Sequence, residues 1–337
     1  MLPVFARLSL AQQQRVFHSS KRRRVVLATN VAETSLTIPG VVYVVDSGLA
    51  RISRFNPGRQ VQRLQIEQIS QASARQRRGR CGRVRDGVCV RLYDERDLES
   101  ASDFTDPEIR RSSLAGVILR MKSLRLGDVR EYPFLDPPSP RAVTEGFRTL
   151  EEVGALDSRQ GELTESGRSL ARLPLDPRLG RMLLEARTRK VLGEVVIIVA
   201  GLSGMDVRER PSEKESAADE AHAKFDDEGS DFLTLLNIWH ALRKFRKDGR
   251  RWHSNQLRHY CKQNFLNMRR VLEWDQVVRE LGRLMREQYG RRPHSLPDDR
   301  RQWGDADEIH KSILTGMPRQ IGTWEKEKRY YRGTGGR

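Results

Sequence analysis

Cysteine is scarce in this chain, and the few present form no pattern. Cys81, Cys89 and Cys261 offer no CxxC spacing. That excludes a disulfide framework and a zinc site of recognisable spacing, and it fits a reducing cytosol. Long apolar runs are also missing. The longest, residues 191–202, contains Glu194 and falls short of the roughly 20 apolar residues a membrane helix needs. The N-terminus lacks the shape of a signal peptide, and no lipidation motif or long basic amphipathic stretch stands out. A soluble cytoplasmic protein with no membrane partner is therefore expected. No GxxxxGK[ST] loop occurs anywhere, so nothing of that type cradles the β and γ phosphates of a nucleotide. Acid is outnumbered: 45 Asp and Glu face 62 Lys and Arg, a net charge of +17. Such an excess points to a polyanion as partner. The hydrophobic content of 37% is that of a globular chain, and 337 residues suffice for two or three domains.

Two stretches organise the rest: residues 28–48, ATNVAETSLTIPGVVYVVDSG, and residues 71–83, QASARQRRGRCGR. The first reads as a strand ending at Thr29 and Asn30, a short helix or turn over 32–36, a Pro39-Gly40 break, and a strand over 41–46. With residues 25–28 as the earlier strand, the pattern predicts two buried, adjacent parallel strands of an α/β sheet. In such sheets the chemistry lies beyond the C-terminal strand ends, where Thr29, Asn30 and Asp46 to Gly48 fall. In the second stretch Gln76, Arg77, Arg78, Arg80 and Arg83 surround Gly79 and Gly82. Arginine suits planar, multidentate phosphate contact, and the glycines allow a tight turn that presents it. Between the two stretches, residues 51–55 and 60–66 read as a hairpin around Asn56-Pro57-Gly58. A strand over 88–93 follows.

The flanking segments are read more plainly. Residues 8–17 are a short amphipathic stretch with Leu10, Gln14 and Phe17 at helical spacing, and residues 21–24 are a basic run in a solvated loop. Thr105-Asp106-Pro107-Glu108 starts a helix with a capping-box spacing, whose apolar face is Leu114, Val117, Ile118, Met121 and Leu124. Ser139-Pro140 opens another helix that ends at Gly154, and 161–163 is a brief strand. Residues 178–187, 191–202, 231–245, 256–266 and 268–288 show helical periodicity. Trp239, Trp252, Phe265 and Trp274 read as core. Residues 291–307 read as a linker, and 309–337 begin something new that ends in a frayed tail over 333–337.

Asp219-Glu220-Ala221-His222 spells an acidic magnesium motif, but its neighbours are polar and charged. A working motif of this kind ends a buried apolar strand. The reading here is a solvated connection between helices, with no metal ligand in the chain.

Residues 28–48 resemble motif V of the DEAH-box RNA helicases of the bacterial HrpA type, and 76–83, QRRGRCGR, resemble their motif VI. Residues 12–17 resemble the segment just before motif V. FTDPEIRRSSLAGVILRM at 104–121, SDFLTLLNIW at 230–239 and YCKQNFLNMRRVLEW at 260–274 resemble the family's winged-helix and ratchet regions. The resemblance covers nearly the whole chain. It implies an α/β plus mainly α fold. A partial second RecA-like parallel-sheet domain with a β-hairpin (1–98) precedes a winged-helix domain (99–165), a helical-bundle or ratchet domain (166–290), and a linker with the start of a truncated OB-fold (291–337).

The resemblance also implies roles. Gln76, Arg80 and Arg83 would face nucleotide phosphates, with Arg80 and Arg83 as arginine fingers. Phe17 would stack on adenine. Thr37 would lie near the ribose, although Pro39 stands where many relatives carry Asp, so a side-chain contact is lost or replaced there. Thr29 and Asn30 would hold RNA phosphates, the 51–66 hairpin would separate or guide strands, and Asn267 and Arg269 would add RNA contacts from the helical domain. ATP with Mg would both require a first RecA-like domain that these residues do not include. The partners implied are mainly single-stranded RNA, gripped by its backbone, and that first domain. The expected function is part of an ATP-dependent RNA helicase, inactive as an ATPase alone. The alternatives are a non-catalytic basic RNA-binding module and a truncated remnant.

Overall fold

The computed structural model describes residues 1–5, 8, 13–18, 23–34, 36–56, 61–211, 213–247, 251–290, 303–325 and 330–333. The chain divides into two compact units. One is Met1–Leu114 with Pro133–Val143, and the other is Ala115–Tyr132 with Thr144–Arg337.

The first unit begins with β1 (Leu2–Val4), β2 (Val26–Ala28) and the single-turn helix α1 (Val31–Thr34). Next come β3 (Tyr43–Asp46), β4 (Leu49–Asn56), β5 (Val61–Gln68), α2 (Gln71–Arg78) and β6 (Val88–Arg91). The small helices α3 (Glu95–Ser100) and α4 (Glu108–Arg111) close it. Parallel pairing is present, but between other strands than expected. β2 pairs with β1, Leu27 opposite Pro3, and β3 pairs with β6, Val45 opposite Val90. The adjacency expected for residues 25–28 and 41–46 is thus corrected. A polar contact accompanies the β3–β6 pairing: Asp46, at the end of β3, accepts a hydrogen bond from the Tyr93 hydroxyl just past β6 (3.0 Å).

These strands are also less buried than their unbroken apolar sequence suggests. Tyr43 and Val45 of β3 and Val88 and Val90 of β6 lie on one exposed face, while Asp46 is buried on the other. Continuous apolar strands belong to sheets covered on both faces; here alternation by two governs exposure. β4 and β5 form the expected antiparallel hairpin, with Arg51 opposite Ile66. The hairpin is tied down by Arg54, which bonds Glu67 (2.5 Å) and Asp106 (2.8 Å). Its tip at 57–60 lies outside the described residues, as do Leu10 and most of the 8–17 stretch, and Lys21 and Arg22 of the basic run.

The single helix expected from residue 105 is two. α4 has Pro107 as its cap with no side-chain bond, and Ser112 turns to extended backbone (φ −110°, ψ 165°). Serine, present here at 112 and 113, is a residue type that disfavours helix interiors. Helix then resumes in the second unit as α5 (Ala115–Ser123). α6 (Pro140–Glu152) starts at Ser139, whose Oγ accepts the Ala142 amide (3.2 Å). It ends at Gly154, whose φ of 67° is the left-handed geometry of a helix C-terminus. The strand expected at 161–163 is a lone antiparallel bridge, Leu156 to Leu163.

The second unit continues with α7 (Glu165–Ala171), α8 (Pro177–Thr188), α9 (Leu192–Ser203), α10 (Glu215–Ala223) and α11 (Asp231–Arg243). A short hairpin of β7 (Arg246–Lys247) and β8 (Arg251–Trp252) precedes α12 (Ser254–Gln263), α13 (Met268–Tyr289) and α14 (Ala306–Leu314). β9 (Gly322–Glu325) and β10 (Tyr330–Gly333) pair antiparallel. Gly333, the first residue of the expected tail, is thus in a strand, and 334–337 lie outside the described residues.

α9 is the axis of this unit. It is apolar all round, as a helix enclosed by others must be, and its residues from Leu192 to Ala200 are buried. Its one acid, Glu194, accepts the Gly304 amide (2.9 Å), so the charge is not stranded. Trp274 donates its indole N–H to the Ile197 carbonyl (2.9 Å) and meets Trp239 edge-on at 4.9 Å. Trp239 and Trp274 are core, as expected; Trp252 is partly buried against the same core. Phe265 is half-buried with a φ of 49°. Three helices of this unit lie outside the expected helical segments: α7, α10, read as a solvated connection, and α14, which begins inside the expected linker.

Candidate functional site

α2 forms because Ser70 caps it, accepting the Ser73 amide (3.2 Å), and because Arg75, Arg77 and Arg78 crowd its last turn. Positive charge there complements the helix dipole. Only Ala74 is buried, so the helix leaves most of its side chains for other work. Past Gly79 the backbone keeps curling: Arg80 N bonds the Arg77 carbonyl (3.0 Å) and Cys81 N the Arg78 carbonyl (3.3 Å). Gly82 then takes a φ of 77°, whereas Gly79 is right-handed at −66°. The tight turn expected of both glycines is thus made by Gly82.

Gly87 keeps the turn in place. A Cβ there would fall 2.5 Å from the Gly82 amide nitrogen, 2.8 Å from the Cys81 Cβ and 2.9 Å from the Val42 carbonyl oxygen. Gly87→Ala is therefore expected to shift the turn and destabilise the first unit by about 1–3 kcal/mol. Amide exchange over residues 79–92 measures it; unchanged exchange would mean that the turn yields freely.

The two central stretches meet at this turn. Arg83 donates from Nη1 to Thr37 Oγ1 (2.9 Å) and from Nε to the Gly79 carbonyl (3.3 Å). Arg80 donates from Nη1 to the Leu36 carbonyl (3.3 Å), and its buried Nε has no partner among the described residues. Neutral oxygens hold both guanidinium groups. Among the described residues neither is paired with a carboxylate, so their charge remains available to an anion. Gln76 is exposed on the last turn of α2. Three of the expected residues, Thr37, Arg80 and Arg83, are thus brought together, with Gln76 on the helix that leads into the turn.

Arg77 is different. Its guanidinium meets Glu33 Oε2 (3.0 Å), Asp46 Oδ1 (2.7 Å) and the Leu49 carbonyl (3.2 Å). Burial acts to lower its pKa, but the bonds to Asp46 and Glu33 outweigh that and hold it above the usual arginine value. Asp46 also accepts from the Gly48 amide (3.0 Å) and from Tyr93. Burial and that bond push the Tyr93 phenol up to about 12. Sequence reading placed Arg77 in the general cationic cluster and missed this network. The available signal was an acid, Asp46, closing an apolar strand.

Thr29 and Asn30 stand exposed where β2 ends and α1 begins. The Thr29 amide bonds the Val4 carbonyl (3.0 Å), and the carbonyls of Thr29 and Asn30 accept the amides of Ala32 and Glu33. Phe17 is exposed on a turn. Arg24 steadies that turn by donating to the carbonyls of Val16 (2.8 Å) and His18. Arg24 therefore departs from the solvated reading of the basic run. No described contact joins Phe17 to the arginine turn.

In the second unit the Asn267 side chain caps α13, accepting the Arg270 amide (3.1 Å), and donates to Glu209 (2.6 Å). Arg269 is exposed and pairs with Glu273 one turn on (2.9 Å). Asp219 lies on α10 and faces Arg210 (2.8 Å), while the buried His222 ring contacts the Phe265 carbonyl (3.2 Å).

Comparison with known proteins follows the same division. Residues 2–85 match the family described as the helicase conserved C-terminal domain, and residues 176–235 match the helicase associated domain (HA2), ratchet-like. An ATP-dependent RNA helicase HrpA homolog of Haemophilus influenzae is 48% identical over 99% of this chain, which spans 25% of that relative. ATP-dependent RNA helicase HrpA of Escherichia coli gives the same identity and the same shares. The chain thus spans about a quarter of the length of the curated relatives it matches. No helix among the described residues is long and apolar enough to cross a membrane. The helicase C-terminal and HA2 families thus both match, and along almost its whole length the chain is similar to a part of the HrpA-type ATP-dependent RNA helicases.

Proposed function

We propose that this chain works as part of a cytoplasmic ATP-dependent RNA helicase. It presents Arg80 and Arg83 to the phosphates of ATP held by a first RecA-like domain, and it grips RNA backbone through Thr29 and Asn30. The observation that supports this best is the arginine turn: Arg83 on Thr37 and Arg80 on the Leu36 carbonyl, neither neutralised by an acid among the described residues. Such groups stabilise charge on a phosphoryl group in transfer. Gln76 beside them orients the phosphate or attacking water, Phe17 offers a face to adenine, and Thr37 reaches the ribose. Mg²⁺ accompanies the phosphates on the first domain, since Asp219 of the acidic motif already faces Arg210.

In this reading residues 1–98 are a second RecA-like domain and 99–165 a winged-helix domain. Residues 166–290 form the ratchet bundle, with Asn267 and Arg269 at its RNA face, and 291–337 hold a linker and the start of an OB-fold. The β9–β10 hairpin suits that last assignment.

The test is phosphate release by the purified chain, with and without single-stranded RNA. No turnover is expected from the chain alone, and RNA-stimulated turnover is expected once the first domain is added in trans. Turnover by the chain alone would overturn the assignment of the phosphate cradle to another domain. RNA binding with no restored turnover would favour a non-catalytic RNA-binding module, to which the net charge of +17 is also suited. RNA affinity should fall by about tenfold or more between 50 and 200 mM salt, because each phosphate contact releases counterion. A flat salt response would rule out a backbone grip.

A further inference from the structure

We infer that Arg77 is a positioning residue that couples the RNA turn at Thr29 and Asn30 to the arginine turn at Arg80 and Arg83, through its ion pair with Glu33. This rests on the reading that the first turn meets RNA and the second meets nucleotide phosphate. Glu33 belongs to the RNA turn: it lies three residues past Asn30 on α1, and its amide is bonded to the Asn30 carbonyl (3.0 Å). Arg77 belongs to the arginine turn: it lies on α2, and its carbonyl accepts the Arg80 amide (3.0 Å). Between the two runs one guanidinium, whose side chain is 15% exposed against 10% for Glu33 and 0% for Asp46.

The two ends of this bridge are unequal. Asp46 is held by Arg77, Tyr93 and the Gly48 amide, so it is a fixed point on the sheet. The Glu33 carboxylate has Arg77 as its one side-chain partner among the described residues. Moving α1 therefore either drags Arg77 or leaves its half-buried Nε without an acceptor, and an unmet buried donor is costly. Arg77 also holds the Leu49 carbonyl at the root of the β4–β5 hairpin (3.2 Å), so one side chain touches both α1 and the hairpin, the two elements of this unit that meet RNA in this reading, while anchored on Asp46. Its rigid fork allows this, whereas a lysine at the same place offers one compact charge without the fork. Coupling of this kind is reciprocal: occupation of the arginine turn alters RNA affinity by the same factor.

The experiment is amide hydrogen exchange on this chain, free and saturated with single-stranded oligouridylate, for wild type and Glu33→Gln. In wild type, RNA should slow exchange at residues 29–34 and, by about fivefold or more, at 79–83. Glu33→Gln should bind the RNA with an affinity within about twofold and keep the protection at 29–34, but lose it at 79–83. Arg77→Lys should behave likewise. Full transmission in both variants would overturn the coupling. So would a change at 79–83 that is equal with and without RNA, since that is the mark of a merely structural pair. No protection at 29–34 in wild type would instead overturn the assignment of the RNA turn, and the coupling with it.

Discussion

Arg83→Ala is expected to lower RNA-stimulated ATP turnover by about 10³–10⁵ in an HrpA-type helicase that contains this chain, the range found when an arginine finger is removed. The size follows from where the side chain sits. Arg83 is exposed and, among the described residues, held only by Thr37 Oγ1 and the Gly79 carbonyl, so its loss unsettles no described buried network and folding should be spared. What is lost is a preorganised positive charge, and such a charge stabilises a phosphoryl group in transfer far more than it stabilises the ground state. The effect should therefore fall on kcat, with KM for ATP little changed. Arg83→Lys should recover part of the rate, since a point charge replaces the fork. Arg78→Ala is the control: Arg78 is exposed at the end of α2, just ahead of the arginine turn, and its side chain makes no described contact with residues 28–48. A loss below about tenfold for Arg83→Ala would remove it from the phosphoryl-transfer machinery.

How far the site could be read from sequence depended on the range of the forces involved. The arginine turn was legible because a local pattern marks it: arginines around two glycines, of which Gly82 takes the positive φ; the capped helix α2 that leads into it was not read. That Thr37 and Arg83 share one site was implied only by the family resemblance, and their direct bond was not expected, since no local rule joins residues 46 positions apart. Strand existence was legible at 25–28 and 41–46, but strand partnership was not. Parallel neighbours are chosen by tertiary contacts, and the bond from Tyr93 to Asp46 is invisible to periodicity. Helix α10 was missed because its turns are largely polar, with Ala218 and His222 its buried residues. Asn267 has a structural role that the resemblance does not name. The resemblance offered it as an RNA contact, while locally it reads as the cap of α13, and its oxygen and its amide are both engaged within the protein.

The helical unit makes the other large prediction. Asp275→Ala should destabilise that unit by about 3–5 kcal/mol, because it strands buried positive charge. Asp275 is 1% exposed. It accepts the Trp252 indole N–H (3.0 Å), pairs with Arg279 one turn on (3.3 Å), and meets the Arg246 guanidinium. Arg246 in turn lies over the rings of Trp252 (4.5 Å) and Trp239 (5.1 Å). One carboxylate thus fastens the β7–β8 hairpin to α13 and to the core beneath it. Asp275→Asn should cost less, since the amide oxygen still accepts from Trp252, but it cannot neutralise Arg246. The measurement is urea unfolding followed by tryptophan fluorescence. Trp239, Trp252, Trp274, Trp303 and Trp324 are the five tryptophans of the chain and all belong to the second unit. The signal therefore reports that unit alone, even if the two units unfold separately. A change of under about 1 kcal/mol for Asp275→Ala would mean that Arg246 finds water or another acceptor. The hairpin would then be held by its tryptophan and not by its charge.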